Sequence, residues 1–314
     1  MNKKVVILVI MFYICSILSG CIKIPIKLSI NEKKGDSFKV EIDRNQKITS
    51  NFNGENSSVE LKVREGFLCN VVNVDDIKDS DIKVTFDSIN FINNINISDK
   101  LKKYVPNANE DLKELANVYS SFLGKSFKVK IGENGKVKKI MGIDELTMAI
   151  LKDLKDKSKE QYVKSFIKNE FSENALTAKI EKITLFYPEK RVAQNTQWRI
   201  RNTPSIKIPI QSINDYILKD SEDKTAYISI KSQIKKNESA QPHNIDDVKL
   251  SFEDIKGNGS GNINVNLDKG IIKNADIQSK YKGNIKIVSM DPNTGTQMIP
   301  IIVEDKINVH VLNQ

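Results

Sequence analysis

The chain has 314 residues, of which 39% are hydrophobic, 28% charged and 7% aromatic, and its 49 Lys and Arg residues outnumber its 40 Asp and Glu residues. This length provides one large or two modest domains with a real core. The lysines alternate with acids and form no long block, which argues against nucleic acid as a partner and favours an ordinary solvated surface.

Residues 1–20 have the layout of a secretory signal peptide, with two lysines followed by an uncharged run of 14 residues. A membrane-spanning helix needs about 20 apolar residues, so this run is too short to cross a bilayer. The letters LSGC at 18–21 resemble the lipobox of bacterial lipoproteins, which implies cleavage before Cys21 and acylation of its thiol. We therefore predict a mature protein attached to the cell membrane through lipid on Cys21, at the extracytoplasmic face.

Only one thiol remains free in that mature protein. Cys15 leaves with the signal and Cys21 carries the lipid, so Cys69 has no partner for an intramolecular disulfide. Cys69 lies in the strand-like stretch FLCNVV, where a free cysteine packs as a small hydrophobic residue. We predict a buried structural role for Cys69 rather than a reactive one.

Residues 21–35 contain a proline and a polar run and predict a tether that leads into the fold. Residues 36–142 predict an N-terminal sheet half, because apolar residues alternate with polar ones at 38–42, 59–63 and 82–86 and turn clusters separate them. One helix interrupts this half before Gly124. The clearest hairpin follows directly, with strands on either side of Gly135.

Residues 143–187 predict a mostly helical middle, since apolar residues recur there at helical spacing. Residues 188–314 return to a C-terminal sheet half. The pattern at 127–137 resembles that at 263–272, and 71–86 resembles 216–230, as a duplicated sheet unit would. We therefore predict an α+β fold of antiparallel β-sheets with packed helices, arranged as two related halves around the helical middle.

Three motifs resemble the bacterial lipoproteins grouped as domain of unknown function 6263 (DUF6263). They are GKSF at 124–127 leading to GKV at 135–137, then GIDEL at 142–146, and YPEKRV at 187–192 leading to Trp198. Asn195 stands where the family pattern has glycine, but asparagine tolerates the same left-handed backbone. The resemblance covers residues 28 to about 310, and the family brings no established activity or site.

The sequence offers no catalytic residue, cofactor site or metal site that stands out. His243 lies in a polar loop and His310 on the polar side of a terminal strand, and no HExxH or CxxC spacing occurs. The acidic clusters at 75–81 and 220–223 lack the glycine and closing glutamate of an EF-hand loop and are typical of turns. We predict that the protein is not an enzyme, although its many carboxylates leave a carboxylate-based wall hydrolase open as an alternative.

The largest group of aromatic residues in the sequence has two possible interpretations. It consists of Phe166, Phe171, Phe186, Tyr187 and Trp198. These side chains form either the core between helices and sheet or an apolar pocket for an acyl chain, and the core is the favoured interpretation. The favoured function is a non-catalytic binding or envelope-associated lipoprotein, with lipid, wall polymer or another envelope protein as partner; a lipid carrier is the alternative.

Overall fold

The computed structural model describes residues 24–102, 116–153, 160, 163–164, 167, 171–184, 187–201, 209–245, 248–289 and 295–313. Within these ranges the dominant elements are long strands. The strands are β1 Ser37–Phe52, β2 Glu55–Val74, β3 Ser80–Asn96, β4 Ser126–Ile131, β5 Val137–Met141, β6 Gln197–Arg201, β7 Ile210–Glu222, β8 Thr225–Lys236, β9 His243–Ile245, β10 Val248–Asn266, β11 Ile271–Ser289 and β12 Thr296–Asn313. The helices with defined bounds are α1 Asp99–Lys102, α2 Ile143–Asp153 and α3 Glu173–Thr184.

The described strands form one antiparallel sheet in the order β5-β4-β3-β2-β1-β12-β11-β10-β8-β7-β6, with β9 pairing beside β10. The first strand therefore lies at the centre, and β1 pairs with β12 along most of its length. Arg44 on β1 closes this central seam with two parallel hydrogen bonds, donating from Nε and Nη2 to the carboxylate of Asp305 at 2.9 and 3.0 Å. Such a bidentate pair fixes the register as well as adding stability.

The two faces of the sheet differ in chemistry because side chains alternate along each strand. One face, called the helix face below, carries apolar residues such as Phe38 and Val40 of β1 and packs against Leu146 and Ile150 of α2 in the main core. Helix α3 contacts β5 and β11 on the same side. The opposite face carries Lys39 and its alternate neighbours along β1, and is called the polar face.

A second apolar cluster lies at the other end of the long strands, outside the main core. Its buried members are Phe52, Ile287, Ile299, Ile301 and Val303. Leu101 of α1 packs against it. The long strands thus bury apolar residues at both of their ends.

The predicted α+β fold, with two related halves around a helical middle, is wrong. The two predicted halves are parts of one continuous sheet, because β1 and β12 pair directly at its centre. The described helices are short and lie on one face of this sheet, so the described structure is mostly strand rather than α+β around a helical middle. Alternation in sequence identifies a strand but not its partner, so a pairing between the two ends of the chain leaves no local signal.

Candidate functional site

The N-terminal segment is docked onto one end of the sheet. Ile26 pairs with Val192 through two backbone hydrogen bonds of 2.9 and 2.8 Å. The amide of Ile30 donates to Glu133 in the β4–β5 turn at 2.7 Å, and the amide of Asn31 donates to Lys269 in the β10–β11 turn at 2.9 Å. We call residues 26–36 the strap, and we call the end of the sheet that holds it the strap end. The segment predicted as a tether, residues 21–35, thus includes residues that pack into the fold.

Tyr187 joins the same two turns from inside the core. Its amide donates to the carbonyl of Asn134 at 2.9 Å, and its hydroxyl donates to the carbonyl of Gly270 at 2.9 Å. The side chain has no exposed surface, and burial raises the pKa of its phenol. A buried hydroxyl needs such a partner, so Tyr187 is a fixed structural link between the strap-end turns.

Three ionisable residues hold the strap against the β10–β11 turn. The Glu32 side chain is 1% exposed, and its Oε2 lies 3.4 Å from Nζ of Lys269. Its Oε1 is buried and has no hydrogen-bond partner among the described residues. Asp36 forms an ion pair with the same lysine. Burial and then a hydrogen bond with Asp36 raise the pKa of Glu32 to about 7, whereas the hydrogen bonds from Lys269 and Glu32 lower that of Asp36 to about 2.

These shifts describe one proton shared by two carboxyl groups. Asp36 is the ionised partner of Lys269, and Glu32 keeps its proton until near neutral pH. Such a pair stabilises the strap most when Glu32 is neutral, because an ionised Glu32 would carry a buried charge with an unpaired oxygen.

The structure places three of the five predicted pocket residues in the main core. Phe171 stacks on Phe122 with ring centroids 4.0 Å apart and is 1% exposed. Tyr187 is buried as described, and Trp198 stacks on Tyr216 at 5.6 Å at the edge of the same core. Phe166 and Phe186 lie outside the described residues. Around Phe171 the space between helix and sheet is filled by aromatic side chains.

The other predicted residues occupy separate positions. Cys69 is buried, and burial together with the nearby charge of Glu32 raises the pKa of its thiol to about 12. His310 is exposed on β12 and His243 lies in β9, while Cys21 lies outside the described residues. In the turn after β2, Asp75 accepts a hydrogen bond from the backbone amide of Asp79 at 2.8 Å.

A polar groove crosses the middle of the polar face and was not expected from the sequence. Its volume is about 720 Å³, and it crosses six neighbouring strands from β2 to β8. The charged side chains along it are Lys47, Glu60, Lys231, Lys280, Glu304 and Lys306. A second groove of about 490 Å³ lies beside it and includes Lys282 and Ile302. The alternation of lysine on the outer side of these strands was visible in the sequence, but the groove depends on which strands are neighbours.

Within the described residues, no group of His, Cys, Asp and Glu side chains is arranged to hold a metal ion. No described helix is long and apolar enough to cross a membrane.

Comparison with known proteins identifies a family and no activity. The DUF6263 family, a family of unknown function, matches residues 78–272, which confirms the resemblance inferred from the sequence motifs over this range. No curated protein matches the sequence.

Several solved structures share weak similarity with the chain. A lipovitellin structure on lipid–protein interactions is 8% identical with a TM-score of 0.48; the match covers 90% of this chain and 25% of lipovitellin. An outer membrane channel from Pseudomonas putida F1 is 6% identical with a TM-score of 0.22, covering 90% of this chain and 97% of the channel. Pseudomonas aeruginosa OpdQ is 8% identical with a TM-score of 0.22, covering 88% and 99% of the two chains.

Proposed function

The chain belongs to the DUF6263 family of unknown function, and we propose that it is a non-catalytic binding protein, lipid-anchored at the extracytoplasmic face of the membrane. The lipobox-like residues 18–21 support the anchor. The groove on the polar face supports the binding role, because it is a concave surface lined by many hydrogen-bonding groups.

The observation that carries this proposal is the docking of the strap next to the proposed anchor. Between Cys21 and Ile26, the first residue paired with the fold, an extended chain spans at most about 18 Å. A lipid on Cys21 would therefore hold the strap end close to the bilayer surface. The rest of the sheet would extend into the surrounding medium, with its polar face available to a partner.

Substitution of Cys21 tests the anchor. In cells labelled with palmitate, the full-length protein should carry label and sediment with membranes, whereas Cys21→Ser should carry no label because the acylated thiol is missing. Cys69→Ser is the matched control and should keep both label and location, since the Cys69 side chain is buried. Label that persists on Cys21→Ser would remove the proposed anchor.

The carrier alternative predicts bound lipid, and the described core does not favour it. Phe122 and Phe171 stack against each other where helix and sheet meet, so ring contacts take up the space that an acyl chain would need. We expect organic extracts of the native protein, after correction for its own anchor, to contain less than 0.1 lipid molecules per chain by mass spectrometry, a threshold set at about a tenth of full occupancy. One tightly held lipid per chain would support the carrier instead.

A further inference from the structure

Three lysines form a row across the polar face. Lys256 on β10 is the direct register partner of Lys235 on β8 and of Lys282 on β11. Neighbouring strands lie about 4.8 Å apart, so the row places three positive charges within about 10 Å. All three side chains are exposed, and within the described part of the chain none of them forms an ion pair.

This arrangement is unfavourable for the isolated fold. Like charges directly opposite each other in a sheet repel and reduce stability. Elsewhere on the same face some lysines are neutralised, as where Lys280 contacts Glu304 at 2.6 Å. The row thus concentrates positive charge at one place, where the only acidic residue among the described residues lining the adjoining second groove is Asp254, and a bound anion would supply further countercharge.

The surroundings of the row indicate the class of anion. Lys282 lines the second groove, and Lys231, also exposed and without an ion pair among the described residues, lines the larger one. Among the described residues, neither groove has an aromatic residue in its lining on which a base could stack. Lysine ammonium groups bind phosphate as compact point charges. An extended chain of phosphate charges fits a row that reaches the second groove through Lys282.

Distance from the strap end argues against membrane headgroups as the occupant. Lys256 lies ten residues before the end of β10 at Asn266, which corresponds to about 34 Å along the strand. Since the proposed anchor is at the strap end, the row would stand away from the bilayer. We propose that Lys235, Lys256 and Lys282 form a binding surface for a linear phosphodiester polymer of the cell envelope; this rests on the extracytoplasmic location of the proposed function.

The test measures binding of end-labelled poly(glycerol phosphate) to the full-length protein in a non-ionic detergent by fluorescence anisotropy. The variant Lys235→Gln/Lys256→Gln/Lys282→Gln should bind at least tenfold more weakly. The slope of log affinity against log salt should fall by about 2–3, because each phosphate contact displaces a counterion. The control Lys152→Gln/Lys190→Gln/Lys219→Gln changes the charge equally on exposed lysines, none of which has a lysine as a register partner among the described strands, and should lose less than threefold.

Two outcomes would overturn the proposal. Equal losses in both triple variants would mean that net charge alone drives binding. The second outcome is that the polymer does not bind. If full-length Cys21→Ser then sediments with phosphatidylglycerol vesicles, and the three lysine substitutions abolish that sedimentation, the row would be a membrane contact. Polymer binding in detergent does not depend on acylation of Cys21, so failure here and failure of the anchor are distinguishable.

Discussion

Replacement of Gly270 by alanine is expected to destabilise the protein by about 4 kcal/mol and to release the strap. Gly270 has a φ of +70°, and a Cβ atom there would lie 1.7 Å from the carbonyl oxygen of Ser29 in the strap. The obstacle is backbone on both sides, so neither segment yields by a side-chain rotation. Relief requires the strap or the turn to move, which would weaken the hydrogen bonds that Asn31 and Tyr187 make to this turn.

Gly54→Ala provides the matched control for this change. Gly54 has a φ of +83°, and no atom of the other described residues beyond its chain neighbours lies within 4 Å of the added Cβ, so the substitution introduces the backbone strain alone, about 1 kcal/mol. Urea unfolding gives the free energies, and trypsin cleavage at Lys27, Lys33 and Lys34 reports strap release. The explanation fails if the free energies of unfolding of Gly270→Ala and Gly54→Ala differ by less than about 1 kcal/mol and the strap of Gly270→Ala stays protected from trypsin.

Local elements of the fold could be predicted from the sequence, whereas their assembly could not. Alternation identified the hairpin on either side of Gly135, and helical spacing identified segments within α2 and α3. The central pairing of β1 with β12 brings Arg44 to Asp305 across 261 positions of the chain. No property of either strand in isolation specifies that contact, because many alternating segments present the same apolar face.

The same limit applies to the candidate surfaces. Lys235, Lys256 and Lys282 are unremarkable in a chain where lysine alternates with acids throughout, and they become a row only through the register of β8, β10 and β11. The burial of Cys69 could be predicted, because its apolar neighbours are adjacent in sequence. The burial of Glu32 could not be predicted from the sequence, since it depends on the docking of the strap beside Lys269.

The parent protein is expected to lose stability as the pH rises from about 4.5 to about 7, which are the ordinary and the shifted pKa of the Glu32 carboxyl group. Glu32→Gln should abolish this loss. The folded state raises the pKa, so it binds the proton more tightly than the unfolded chain does. The stabilisation is therefore complete below the ordinary pKa and is lost as the pH rises through the shifted one. At about 1.4 kcal/mol per pKa unit, the loss amounts to about 3 kcal/mol.

Three groups face Glu32 and enter the expected pH profile, namely Asp36, Lys269 and Cys69. Asp36 has a pKa lowered to about 2, so its contribution is present above its ordinary value of 3.8 and is lost only as the pH falls through about 2. Lys269 stays charged throughout, and Cys69 stays neutral because its pKa is about 12. The strap should therefore be held most firmly near pH 4–5, where Asp36 is ionised and Glu32 is not.

Urea unfolding at pH 5, 6, 7 and 8 measures the effect. Glutamine keeps the size of Glu32 and can donate to Asp36, so the variant should match the parent protein at pH 5 and exceed its stability at pH 8 by about 2 kcal/mol. Glu133→Gln is the control on the neighbouring turn; Lys27 lowers the pKa of Glu133, so its loss should leave the slope above pH 5 unchanged. Parallel curves for Glu32→Gln and the parent from pH 5 to pH 8 would mean that Glu32 is already ionised in the folded protein, and the strap would then be held by charge pairing with Lys269 instead of by a shared proton.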